Sequence, residues 1–514
     1  MLTMRSCRMG LFVGLLLCVP AVVYAADTVR GVVFDDEDGN CYRDRGERGL
    51  RGVCVSNGRD VARTSWGGRY ELPIAEGDVV FVVKPTGWMT PVDANRVPRF
   101  FYVHKPAGAP ALEYAGVPPT GELPASVDFP LMRQRESKRF KAILFGDTQA
   151  RNQQEANYLV HDICEELVGT DAAFGVTLGD IVFNDLSVFE PLTRSLGVVG
   201  VPWYGVIGNH DHNQDVPDDV HAEETFTRVY GPPYYAFNYG KVHFIALGSV
   251  QWDGEDYHGE LGSDQLAFVA NDLKWVPKDR LIVLMMHIPV MDFKDRAELL
   301  ALLSNRPHTF SCSAHWHTQK QFFLTELDGW TGKEPHHHLV QGTACGGWWS
   351  GVTDELGIPH ATMADGTPNG YSIVSFDGND YTIEYKAARR PADFQMTIDA
   401  PETVKAVEAT ATEVAANVFA GTERSRVEMR LGEDGPWIPM TKTERQDPYF
   451  LRLKRLELSL PDVAGRKLPE PDSVSHLWVA PLPANPKLGM HLIHVRTEDM
   501  YGHVYEAERA ILVE

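Results

Sequence analysis

Beyond its first two dozen residues the chain has no apolar run long enough to cross a bilayer, and it shows no internal repeat. The first absence leaves no transmembrane segment in the body of the chain. The second removes repeat architectures. Basic charge is also in short supply: 48 Lys and Arg stand against 70 Asp and Glu, a formal net charge of −22. A broad nucleic-acid surface needs the opposite sign, so binding to a phosphate backbone is not expected. Anionic small substrates stay open, because bound cations reverse a local field. Cysteine is scarce, at seven in 514 residues. Hydrophobic residues at 44% and charged residues at 23% exclude bulk disorder. The length exceeds what one ordinary core serves and predicts several domains.

What is present begins with an export signature. Arg5 and Arg8 precede the apolar stretch LFVGLLLCVPAVV, and Val23-Tyr24-Ala25 supplies small residues at −3 and −1 of a cleavage site. Residues 1–25 read as a secretory signal peptide, too short for a comfortable span. The expected location is secreted or periplasmic. Cleavage would leave Cys41, Cys54, Cys164, Cys312 and Cys345, an odd number that cannot pair fully within one chain. Cys41 and Cys54 flank a hairpin and suit a bridge that export permits. The competing reading makes all five small buried hydrophobes.

Three textures follow. Residues 27–132 carry short β-like runs such as GVVF, RYELP and VVFVVKP, punctuated by Gly, Pro and Asp, and read as a small β-sandwich. The Pro-rich stretch 105–124 reads as a linker. Residues 138–398 alternate strands (AILFG, FGVTLG, WYGVIG, KVHFIALG, LIVLMMHI) with helices such as QLAFVANDLKW, the pattern of a layered α/β core. Residues 400–514 return to β texture, a second all-β domain.

In the first region Asp36, Asp38, Asn40, Asp44 and Glu47 occupy positions 1, 3, 5, 9 and 12 of an EF-hand-like calcium loop. Cys41 stands where the sharp turn wants glycine, and β-runs rather than helices flank it. An acidic turn between strands and a structural calcium site are both open.

The α/β region repeats one arrangement, in which an apolar strand ends and metal-type ligands follow. AILFG leads to Asp147 and Gln149, FGVTLG to Asp180, WYGVIG to Asn209-His210-Asp211, LIVLMM to His287, and TFSCSA to His315 and His317. Ligands of open α/β sheets gather outside the carboxyl ends of strands, so these side chains can converge on one edge. Hard oxygens from Asp147, Asp180 and Asn209, with imidazoles from His287, His315 and His317, suit Mn, Fe, Zn or Ni better than an all-oxygen cage. A carboxylate bridging two such ions suits hydrolysis at phosphorus. His210, beside the ligand Asn209, is then free to protonate the leaving alkoxide.

The order D-x-Q, G-D, G-N-H-D, H, H-x-H resembles the calcineurin-like metallophosphoesterases, whose usual pattern is D-x-H, G-D, G-N-H-[DE], H, G-H-x-H. The resemblance implies a layered metallophosphoesterase sandwich flanked by two small all-β domains. It also implies two divalent ions, with Asp180 bridging. Asp147, Gln149 and His317 would complete one site, and Asn209, His287 and His315 the other. The outer regions resemble a bacterial subfamily with an N-terminal β module, here GVVFDDEDGNCYRDRGERGLRGVCVSNG, and a dedicated C-terminal domain, here DGTPNGYSIVSF, HLWVAPLP and VRTEDMYG. Gln149 replaces the usual His and Ala314 the usual Gly; the second is tolerable if the backbone there does not need positive φ.

Arg151 and Asn152, just past the first motif, and Trp348 and Trp349, on a Gly-rich loop, are the substrate-facing candidates. Paired tryptophans either stack on a sugar or base or plug a contact between domains. His336-His337-His338 reads as surface or structural, because strand neighbours alternate faces. The expectation is an exported binuclear phosphoesterase acting on a small-molecule or polymer phosphate mono- or diester. The alternative is a non-catalytic metal-containing binding protein for sugar or envelope ligands.

Overall fold

The computed structural model describes residues 27–460 and 465–514; the signal-peptide expectation lies outside them. Among the described residues no helix is long and apolar enough to cross a membrane.

The centre is a sandwich of two sheets. One runs in the order Trp203–Val206, Phe174–Leu178, Arg139–Phe145, Gly370–Asp377, Asp380–Ala387. Its first three strands are parallel and the last two antiparallel. The other runs Tyr235–Tyr239, Val242–Ala246, Leu281–Met285, Thr309–Ser313, His336–Val340, Lys320–Leu324, with parallel pairing inside and an antiparallel strand at each edge. Side chains alternate along each strand. Ala142 and Leu144 therefore join Phe244 and Val283 in the core between the sheets. Ile143 and Phe145 face the opposite way, onto the helices Gln153–Leu159 and Phe189–Leu196. Strands covered on both faces read as continuous apolar runs, which is why AILF and LIVLM show no polar alternation.

The N-terminal β region has no separate core. Val80, Phe81 and Phe100 belong to the same buried cluster as the sandwich. Phe81 meets Phe268 edge-on with ring centroids 5.5 Å apart, and Phe100 lies 5.1 Å from Tyr235. The buried Lys84 ammonium donates to Glu136 and to the Asn238 carbonyl, both at 2.7 Å.

The last region packs two further sheets over a core of Val414, Met429, Trp478, Ile493 and Ile511. It also holds a 12-residue helix, Pro448–Ser459, which β texture alone did not predict. The signal was in Asp447-Pro448: the Asp447 carboxylate accepts the Tyr449 and Phe450 N–H groups, and Pro takes the first turn.

The Cys41–Cys54 bridge is not formed. Both thiols are free, Cys41 exposed in the acidic loop and Cys54 half-buried in the strand Cys54–Ser56. Cys164, Cys312 and Cys345 are buried and free. His336, His337 and His338 are buried and structural rather than surface residues.

Candidate metal centre

Each ligand motif begins where a parallel strand of the sandwich ends: Asp147 after Phe145, Asp180 after Leu178, Asn209 after Val206, His287 after Met285, His315 after Ser313. The backbone turns sharply at these points. Gln149, Asp180, His315 and His317 all have positive φ, between 41° and 70°. Non-glycine residues so placed are strained, and such strain clusters at functional sites. Ala314 is not among them, so the missing glycine before His315 costs nothing. Gly179 and Gly208 are required. A Cβ at Gly179 would sit 2.4 Å from the His287 ring, and one at Gly208 would sit 2.1 Å from the Asp180 backbone nitrogen.

Asp180, His287 and His315 bring one ligand atom each within 4.8 Å of one another. His287 Nδ1 donates to the Leu178 carbonyl at 2.9 Å. That leaves Nε2 with its lone pair aimed at Asn209 Oδ1 (3.0 Å), His315 Nδ1 (3.1 Å) and Asp180 Oδ1 (3.2 Å). Four Lewis-basic atoms facing each other in a buried pocket need a proton or a cation between them. Beside them, His317 Nδ1 donates to the Gly346 carbonyl at 2.6 Å and turns Nε2 to Asp147 Oδ2 at 3.1 Å. That carboxylate oxygen is buried and has no hydrogen-bond donor. Backbone carbonyls fixing the far nitrogen are what metal-binding imidazoles use to present the near one. The donor set therefore fits divalent cations.

Burial works to raise the Asp180 carboxyl, but the His287, His210 and His315 rings outweigh it and hold it low. Burial works against charge on His287 too, yet Asp180 pushes it up to about 9. His315 moves the other way, down to about 4, by burial and by the His287 charge.

Gln149 lies inside this cluster, its Nε2 donating to Asp180 Oδ2 at 3.0 Å and its Oε1 facing the Cys345 thiol at 3.7 Å. His210 stands apart from the ligand cluster, with Nε2 4.0 Å from Asp180 Oδ2. Asp211, the last residue of G-N-H-D, is buried and ties two motif loops together. Its carboxylate accepts the N–H groups of Ile181, Val182 and Gly208 at 2.9–3.1 Å.

The substrate-facing candidates separate. Trp348 stacks on His317 with centroids 4.1 Å apart. Trp349 is a correction: it is a core side chain, only 3% exposed, packed on Tyr158. Asn152 is another, since its Oδ1 accepts the Glu155 N–H and caps the helix Gln153–Leu159. Arg151 covers the Phe183 ring at 4.1 Å. Sequence reasoning missed Tyr257, edge-on to His315 at 5.9 Å, and Phe183, stacked on His210 at 4.3 Å; neither stands in a ligand motif.

In the acidic loop, Asp36, Asp38 and Glu47 gather their carboxylates within 4.8 Å. Asn40 donates to Asp38 and Asp44, both at 2.9 Å. Asp36 accepts the Gly39 and Cys41 N–H groups, and Cys41 takes the left-handed turn expected of glycine, with φ 66°.

The fold is a two-sheet α/β sandwich whose strand ends gather carboxylate, amide and imidazole donors, a set that fits divalent cations. Residues 37–114 match the family described as N terminal of Calcineurin-like phosphoesterase, and residues 338–505 the family described as C terminal of Calcineurin-like phosphoesterase. The chain belongs to the calcineurin-like phosphoesterases, and the two matches flank the metal-ligand motifs. The C-terminal match takes in the strands His336–Val340, from His338 on, Gly370–Asp377 and Asp380–Ala387, so that segment builds part of the central sandwich. No curated protein matches the chain. Among solved structures, purple acid phosphatase PPD1 from yellow lupin (Lupinus luteus) seeds is 13% identical, with a TM-score of 0.36, covering 65% of this chain and 66% of that one. A superoxide reductase (neelaredoxin) from Ignicoccus hospitalis is 20% identical over 23% of this chain and 80% of its own, with a TM-score of 0.14. At these scores neither likeness carries an argument.

Proposed function

We propose that the chain is an exported binuclear metallophosphoesterase that hydrolyses a phosphomonoester or phosphodiester. The observation that carries the reading is the His287 Nε2 lone pair facing Asp180, Asn209 and His315, with its other nitrogen committed to Leu178. Asp147, Gln149 and His317 would hold one divalent ion and Asn209, His287 and His315 the other, with Asp180 shared. Mn, Fe, Zn and Ni suit these donors. When bound, such ions supply Lewis acidity to phosphoryl oxygens and lower the pKa of a water.

The chain's own residues do the rest. His210 delivers a proton to the departing oxygen. Trp348 and Tyr257 wall the approach with aromatic faces, and Arg151, paired with Glu155, backs the Phe183 ring that stacks on His210. Asp211 keeps the two motif loops in register. The boundaries 27–132, 138–398 and 400–514 belong to the same proposal, the first two regions sharing one core, as does release of residues 1–25. N-terminal sequencing of the exported protein should then begin at Ala26.

The deciding experiment strips the protein of metal and restores Mn, Fe, Zn, Ni or Mg singly against p-nitrophenyl phosphate and bis-p-nitrophenyl phosphate. Metal-restored turnover supports the reading, together with a fall of about 10²–10⁴-fold in His210→Ala on a methyl phosphate ester, whose alkoxide needs the proton, with metal content unchanged. Two bound ions with no turnover on either ester would sink it and favour a binding protein. Calcium at Asp36, Asp38, Asn40, Asp44 and Glu47 would be structural. A calcium-dependent rise in melting temperature, absent in Asp38→Asn, tests that part.

A further inference from the structure

Four residues past Asp180, the loop leaving the strand Phe174–Leu178 places Asn184 against the general acid. Asn184 Oδ1 lies 2.5 Å from His210 Nδ1 and also accepts Gln214 Nε2 at 3.0 Å. Gln214 Nε2 can only donate, and that sets the Asn184 amide with its oxygen toward both groups. An acceptor at Nδ1 holds the ring proton there and leaves Nε2 as the atom facing Asp180. The ring plane is held as well. Phe183 lies on it at 4.3 Å and 24°, and the Arg151 guanidinium covers Phe183 at 4.1 Å. Arg151 is itself tied to Glu155 and to the Trp348 carbonyl, each at 3.4 Å. Asn184 is exposed and has φ 59°, so packing does not explain its place.

We propose that Asn184 is the positioning residue of His210, setting through its side-chain oxygen which ring nitrogen meets the leaving group. Its kinetic consequence rests on the phosphoesterase reading; its structural consequence does not. A departing alkoxide needs a proton, whereas p-nitrophenolate leaves almost without one. Loss of positioning therefore falls on poor leaving groups.

The test uses Asn184→Gly, which keeps the left-handed backbone and removes the amide, and Asn184→Asp, which keeps an acceptor oxygen. In metal-free protein carrying 15N-histidine, the His210 signals are assigned by their loss in His210→Ala. Wild type and Asn184→Asp should show the single Nδ1–H tautomer, and Asn184→Gly a mixture. In the metal-loaded enzyme, Asn184→Gly should lose about tenfold or more on a methyl phosphate ester and less than about twofold on the p-nitrophenyl ester, with Asn184→Asp restoring the former. An unchanged tautomer in Asn184→Gly, or equal losses on both esters, overturns the proposal. If wild type turns over neither ester, the phosphoesterase reading fails, and the tautomer alone decides Asn184.

Discussion

At the scale of single residues, the departure from the family pattern is Gln149. An amide oxygen is a neutral and weaker ligand than imidazole nitrogen. As placed, its amide nitrogen rather than its oxygen meets Asp180. Gln149→His should therefore slow metal loss during dialysis against a chelator, read as metal per chain over time. An unchanged rate would mean that position 149 does not ligate. Asp211 is a different kind of residue, buried and accepting three backbone N–H groups. Removing it leaves those donors unpaired, and Asp211→Ala should cost about 3 kcal/mol in urea unfolding. Gln149 was legible as a ligand-position residue because its motif names the place. The latch role of Asp211 was not, since no sequence pattern says that Ile181 and Val182 lie across from it.

At the scale of elements, the strand His336–Val340 carries three successive histidines into the interior. His336 and His338 bond Thr309, Ser311 and Ser313 on one face, and His337 bonds Gln321 and Tyr381 on the other. Burial pushes His336 down to about 4 and His337 to about 3, and lowers His338 well below its ordinary value. The unfolded chain takes up protons near pH 6.5 that the folded chain refuses. Stability is thus highest above that pH and falls as pH drops toward 4, by up to about 4 kcal/mol per pH unit for the three together. Urea midpoints at pH 7.5, 6 and 5 measure the slope, and His337→Gln should make it shallower. The alternation of faces was readable from the sequence; the burial of both faces was not, because it depends on which strands pair at either side. The helix Pro448–Ser459 shows the opposite case, a local cap signal overshadowed by β texture around it.

At the scale of the whole molecule, the N-terminal β region and the sandwich share one buried cluster. Phe81→Ala should cost about 3–5 kcal/mol and lower one common melting transition rather than a separate early one. Two resolved transitions would show independent units. The sequence by itself determined the α/β class, the strands and the ligand motifs, because apolar runs, turn residues and motif spacing are local properties of the chain. The tertiary structure alone decided which donors face one another, that Trp349 and Asn152 serve the fold, that Cys41 and Cys54 stay apart, and that Asn184 meets His210. Those are through-space relations between segments far apart or turned by left-handed residues, and strand pairing, not local pattern, sets them.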